Sequence, residues 1–149
     1  MDPIAVFAEY AAAFEMAFEK DDWSGVEASL TEDVVYETFA GEPFAGRREG
    51  RQTVIDYMKQ SLDDFDRRFD LRDTPELLEG PELRAGAVWI RWRVSYRVAD
   101  APPLVLEGEE TAELEGDRIC RLEDRISDSV SARVVEWMDR HGAKLKPLG

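Results

Sequence analysis

Residues 87–98 alternate without a break. Val88, Ile90, Trp92, Val94, Tyr96 and Val98 fall on one side of an extended chain; Trp89, Arg91, Arg93, Ser95 and Arg97 fall on the other. A strict period of two requires a strand with one face on a core. Ala99-Asp100-Ala101-Pro102-Pro103 cannot continue a central strand, because proline has no ladder donor, and reads as a hairpin loop. Pairing across it sets Val98 opposite Leu104, Tyr96 opposite Leu106, Trp92 opposite Glu110 and Arg93 opposite Glu109. The apolar faces then coincide. A one-residue slip would bury the charges, so the charged face guards the register.

That register leaves Glu110 among Gly108, Ala112 and Leu114 on the apolar face. A carboxyl group there must be hydrogen-bonded, protonated or open to a wet pocket. Gly116-Asp117 suits a two-residue turn into a third strand, Arg118 to Ser127. Ile119 fits the inner face, but Arg121, Glu123 and Arg125 do not. A bulge near Cys120 or Arg121 admits Ile119 and then Leu122, Asp124 and Ile126, which brings Asp124 close to Glu110.

Ahead of these strands the pattern is helical. Pro3 opens a helix reaching about Lys20, with Phe7, Tyr10, Ala11, Phe14, Ala17 and Phe18 as its apolar stripe. Asp21 or Asp22 caps a short helix with Trp23, Val26 and Leu30 inward. Thr31-Glu32-Asp33 turns into a strand, Val34 to Phe39, and Gly41, Pro43 and Gly46 form the next loop. A third helix runs from about Arg51 to Phe65 over Val54, Met58 and Leu62. Strands are expected from Arg67 to Leu71 and around Leu77-Leu78 up to Gly80-Pro81. The last helix is capped by Asp128 or Ser129, carries Val130, Val134, Trp137 and Met138 on one face, and stops at Gly142.

Helices followed by a long antiparallel sheet make an α+β fold, and 149 residues suit one domain, 1–149. A net charge of −14 argues against nucleic acid and anionic membrane as partners. The single cysteine, Cys120, can form no internal disulfide, which fits a reducing cytoplasm. The acidic N-terminus reads neither as a signal peptide nor as a membrane span.

The order of DDWSGVEASLTEDVVYE from Asp21, PFAGRREGRQTVIDYM from Pro43 and GDRICRLEDRISD from Gly116 resembles the nuclear transport factor 2-like superfamily, and within it the SnoaL-like group. The resemblance covers Tyr10 to Asp128. It implies a curved sheet wrapped into a cone, closed by helices around a pocket, usually in a homodimer. Asp124 aligns with an aspartate that several catalytic members carry in the last strand, and the functional reading the resemblance implies for it is a general base. Ketosteroid isomerases resemble the stretch Asp33 to Pro43, but their catalytic aspartate falls on Thr38. Limonene epoxide hydrolases need Arg-x-Asp where this chain has Arg91-Trp92-Arg93. Neither activity carries over as a complete set.

The leading expectation is therefore a pocket enzyme moving a proton on a small, mostly apolar organic molecule, as an isomerase, cyclase, dehydratase or hydrolase. Asp124 is its base, and Glu110 its proton-holding partner, because two adjacent carboxyls cannot both ionise easily. Tyr10, Phe14, Tyr36, Met58, Trp92 and Tyr96 are its walls, although each is also a plausible core side chain. The bland alternative binds Asp124 to Arg91, Arg121 or backbone and makes the domain a non-catalytic binding module. His141 alone makes no zinc site, and no phosphate loop or Cys/His cluster appears, so neither metal nor cofactor is expected. Arg47, Arg48 and Arg51 form a basic cluster where an anion could bind or where neighbours such as Glu49 are neutralised. Trp89, read as exposed among charges on the outer face, marks the expected homodimer surface.

Overall fold

The computed structural model describes residues 2–42 and 44–148; Pro43, expected in the loop after the first strand, lies outside the described residues. Helix α1 is Pro3–Lys20, with Asp2 as its cap, accepting from the Ile4 amide at 3.3 Å. Helix α2, Ser24–Ser29, has Trp23 at its N-cap with no side-chain cap bond, rather than Asp21 or Asp22; Asp22, one residue earlier, accepts from the Ser24 amide at 3.1 Å. Strand β1 then begins at once, Leu30–Phe39. Leu30 is thus the first strand residue rather than the last of a helix, and Thr31-Glu32-Asp33 is strand rather than turn. Leu30 is fully buried in either case, which is why the pattern could not separate the two.

A strand that the sequence hid follows: β2, Gly46–Glu49, antiparallel to β1, with Tyr36 beside Arg48 and Thr38 beside Gly46. Four residues rich in arginine carry too short an alternation to read. Helix α3, Arg51–Asp64, lays Val54, Ile55, Met58 and Leu62 on the sheet. The expected strand from Arg67 is instead a 3-10 turn, Asp66–Arg68, and pairing begins only at β3, Leu71–Arg72. Strand β4, Glu76–Arg84, runs on through Gly80-Pro81 with two register shifts, because proline is tolerated in an edge strand.

The three strands that organise the sheet are β5 (Ala87–Arg97), β6 (Leu104–Glu115) and β7 (Arg118–Arg125). The β5–β6 register differs from the sequence reading by two residues. Tyr96 faces Leu104, Trp92 faces Gly108, Ile90 faces Glu110 and Arg93 faces Glu107. Val98 has left the ladder for the core, and the Ala99 amide is held by Asp70 at 3.0 Å, so the connection is longer than its prolines suggest. A shift of two preserves the faces, so Glu110 still points inward. At Gly116-Asp117 the tight turn forms, with Gly116 at φ +62. One extra residue, Cys120, is bulged between the pairs Leu114–Ile119 and Glu113–Arg121.

The strand order is β2-β1-β7-β6-β5-β3, with β4 also on β5. The sheet is mixed rather than purely antiparallel, because β1 runs parallel to β7. It stays open, with β2 at one edge and β3 and β4 at the other. The closing helix α4, Asp128–His141, is capped by Ser127 rather than by Asp128 or Ser129, the Ser127 hydroxyl accepting from the Val130 amide at 3.2 Å. Two apolar clusters result. One joins α1, α2 and α3 to the sheet through Phe7, Val26 and Met58 on the helices and Leu30 and Leu122 on the strands. The other packs Trp137 and Val134 of α4 on Phe69, Val94 and Tyr96.

Trp89 is not exposed. It retains 6% of its surface, with the Arg84 guanidinium 3.3 Å from its ring centroid and its indole nitrogen donating to Glu109 at 3.0 Å. Strand β4 covers what the sequence left bare, so the residue gives no support to a dimer surface. Removing this side chain leaves a cavity inside one chain. Trp89→Ala should therefore cost about 3–5 kcal/mol in urea denaturation, independent of protein concentration.

Candidate active site

Where the two clusters fail to meet there is a cavity of about 490 Å³. Its size suits a small organic ligand, for which pockets of roughly 300–1,000 Å³ are usual. One row of the sheet crosses its floor. The row runs Gly46, Thr38, Asp124, Glu110, Ile90, taking one residue each from β2, β1, β7, β6 and β5. A parallel row runs Arg48, Tyr36, Leu122, Ala112, Val88. Helix α1 brings Tyr10 and Phe14 over these rows, and α3 brings Tyr57 and Met58.

Glu110 and Asp124 are ladder partners, so their carboxyls meet on the inner face. The Tyr36 hydroxyl donates a short hydrogen bond to Asp124 Oδ2. Asp124 Oδ1 is buried and meets no amide, hydroxyl or cationic donor among the described residues. The group placed to share a proton with it is the Glu110 carboxyl, hydrogen-bonded across the ladder. Burial pushes Glu110 well above the usual carboxylate range, and the charge of Asp124 pushes it further. Asp124 is also raised by burial, but its bonds from Glu110 and Tyr36 act against the rise. The proton therefore rests on Glu110, and Asp124 is the ionised member of the pair. Both tyrosines stay neutral. Burial lifts Tyr36 and Tyr10 well above the ordinary phenol value, and the two carboxyls lift them more.

All eight residues singled out in the sequence line this one cavity: Tyr10, Phe14, Tyr36, Met58, Trp92, Tyr96, Glu110 and Asp124. Tyr96 lies in the part contributed by the second cluster, where its hydroxyl donates to Asp66 at 3.1 Å. Among the described residues no arginine forms an ion pair or hydrogen bond with Asp124. Arg91 bonds Glu79 at 2.9 Å on the outer face, and Arg121 bonds Glu37 and Glu123. The expected basic cluster is dispersed. Arg47 pairs with Glu37 and Glu49 outside, Arg51 donates to the Leu30 carbonyl at 3.3 Å, and Arg48 turns into the cavity.

Thr38, read in the sequence as the position of a missing catalytic aspartate, and Arg48, read as part of a basic cluster, reach the site from the β1–β2 hairpin, whose second strand was missed. Three further lining residues escaped the sequence reading. Asp66, Arg72 and Glu15 form a partly buried network, with Arg72 bonding Asp66 at 3.0 Å and Glu15 at 2.7 and 3.1 Å. These three lie on a 3-10 turn, an edge strand and a helix, and no spacing announces that they meet. Among the described residues no group of His, Cys, Asp and Glu is placed to hold a metal. No helix of the described residues is long and apolar enough to cross a membrane.

Residues 10–123 match the SnoaL-like domain family. The chain belongs to that family. No curated protein matches it in sequence. Among solved structures it is similar to a candidate isomerase from Rhodopseudomonas palustris, with a TM-score of 0.71, 13% identity, and coverage of 88% of this chain and 96% of that one. A candidate isomerase from Bacillus subtilis gives a TM-score of 0.66 at 20% identity, over 93% and 96% of the two chains. A nuclear transport factor 2-like protein from Anabaena variabilis gives 0.67 at 15% identity, over 87% and 92%. At these identities the likeness is one of fold, and the SnoaL-like chain adopts the nuclear transport factor 2-like architecture.

The raised Glu110 has a testable sign. An acid with a raised folded-state value favours the folded chain while the unfolded chain still holds its proton too, and that advantage is level at low pH. As pH rises above the unfolded glutamate value, the unfolded chain releases a proton that the folded chain keeps, so stability falls by about 1.4 kcal/mol per pH unit. Glu110→Gln retains a donor toward Asp124 and does not titrate. Its stability advantage over the natural chain should widen by roughly that amount per unit from about pH 5 upward, until the folded-state Glu110 itself begins to ionise, read from urea midpoints.

Proposed function

We propose that this SnoaL-like protein is an enzyme that moves a proton on a small, mostly apolar organic molecule. One observation carries the reading. The Asp124 carboxyl group lines an apolar cavity, is held at one oxygen by Tyr36 and is bound to no cation among the described residues. A carboxylate tied to an arginine is a weak base with a structural task. One without a cation, in a site of low dielectric, is primed to accept a proton.

In this scheme a C–H bond next to a carbonyl lies against the Asp124 carboxylate, which lines the cavity. The carboxylate takes the proton, and charge develops on the substrate oxygen. The Glu110 acid proton, one strand away, is available to that oxygen or to the carbon that must be reprotonated. Tyr36 fixes the Asp124 plane, and Tyr10 presents a neutral phenol near both carboxyls. The aspartate expected at Thr38 in ketosteroid isomerases is replaced here by a carboxylate one strand over, since Thr38 and Asp124 are register partners. The candidate isomerases among the similar folds agree with this class of chemistry but do not specify it.

The test is proton exchange. A panel of cyclic and aryl ketones in deuterated water should include substrates whose α-hydrogens exchange faster with the protein than without it. Asp124→Asn should cut that acceleration by roughly 10²–10⁴-fold, as for loss of a general base. Its melting temperature should stay level or rise, because the change removes a buried charge and orphans no cation. Ligand binding with no exchange for any ketone would reduce the protein to a binding module. A large fall in melting temperature would make Asp124 structural.

A further inference from the structure

Two guanidinium groups line the cavity, and their surroundings differ. Arg72 is gripped by Glu15 and Asp66. Arg48 has no carboxylate partner among the described residues, although its neighbour Arg47, pointing outward, has two. In a chain of 33 acidic and 19 basic residues, an inward arginine without a counter-ion is conspicuous. Leaving it so is costly, because a partly desolvated cation lacks compensation.

The guanidinium is nonetheless held in place. It stacks on Tyr57, 3.4 Å from the ring centroid, and its Nη1 donates to Thr38 Oγ1 at 3.3 Å and to the Gly46 carbonyl at 3.4 Å. Nε and Nη2 donate to nothing among the described residues. The head group fills the space over Gly46, where a Cβ would come within 2.6 Å of Nη2 and 3.0 Å of Cζ. Glycine at the end of the floor row thus makes room for the arginine reaching back from the next row. The cation then lies two strand positions from Asp124, roughly 10 Å at the backbone.

We propose that Arg48 is the anion-recognition residue of this cavity, and that its ligand is a mostly apolar molecule carrying one carboxylate or similarly ionised oxygen. The guanidinium fork matches such a group, and stacking on Tyr57 fixes its plane before the ligand arrives. Charge repulsion from Asp124 orients the ligand, with its anionic end at β2 and its apolar body along the floor row. The inference rests on the cavity being a ligand site, and not on Asp124 acting as a base.

The test compares 2-naphthylacetate with 2-naphthylacetamide, which share shape and differ in charge. Titration calorimetry on the natural chain at neutral pH should favour the carboxylate by about tenfold or more, the scale of one charge-assisted hydrogen bond. Arg48→Met should abolish the preference while the amide binds as before. Gly46→Ala, which keeps the charge but displaces the head group, should weaken it. Asp124→Asn should leave it intact or increase it. Equal affinity for the two probes, no affinity for the carboxylate, or a preference that survives Arg48→Met each overturns the proposal. If no ketone exchanges its protons but the preference holds, the anion site stands and the base does not. If exchange occurs but the preference is absent, the reverse is true.

Discussion

Two carboxyl groups facing one another on adjacent strands, in an apolar surrounding, can coexist only with a proton between them. That constraint organises the floor of this cavity. Glu110 keeps the proton because its partner already accepts from Tyr36 and because it has no cation of its own. Asp124 keeps the charge because two donors converge on it. Both residues are pinned at the backbone by ladders on either side, so the sheet sets where the two carboxyl groups start from.

The apolar and polar halves of the structure are complementary. The two clusters supply the buried area that holds the fold, and the cavity lies in the seam between them. Charges that would compete with the pair are kept away from it. Arg47, Arg91, Arg93, Arg121 and Arg125 neutralise glutamates outside. Arg72 and its two acids close a separate network at the side of the second cluster.

Much of this could be read from residue order. The unbroken alternation from Val88 to Val98, the Gly116-Asp117 turn and the misfit of Arg121 with an inner face were enough to bring Asp124 close to Glu110 through a bulge near Cys120 or Arg121, which the structure places at Cys120. Period two is robust to an error of two, which is why the misjudged β5–β6 connection did no harm to the faces. What stayed hidden depends on contacts between distant segments. Trp89 looked exposed because its own strand neighbours are charged, and only β4 folding across reveals Arg84 over its ring. Arg48 looked like one of three surface arginines, because a four-residue strand gives no alternation from which to tell inward from outward. Leu30 was assigned to a helix because both alternatives bury it.

The parallel pairing of β1 with β7 has a further consequence, for the order in which the chain acquires its site. Glu110 and Asp124 are joined by a tight hairpin and can meet early. Tyr36 lies 88 residues from Asp124 and arrives only when the most distant strands close. Contacts of such long sequence separation form late, since the loop entropy must be met first. Until then the two acids stand on a half-solvated hairpin, both ionised at neutral pH and repelling each other. The β6–β7 hairpin is thus a weak nucleus by its own chemistry. Closure by β1 and cover by α1 both complete the sheet and create the burial that lets one carboxyl hold its proton.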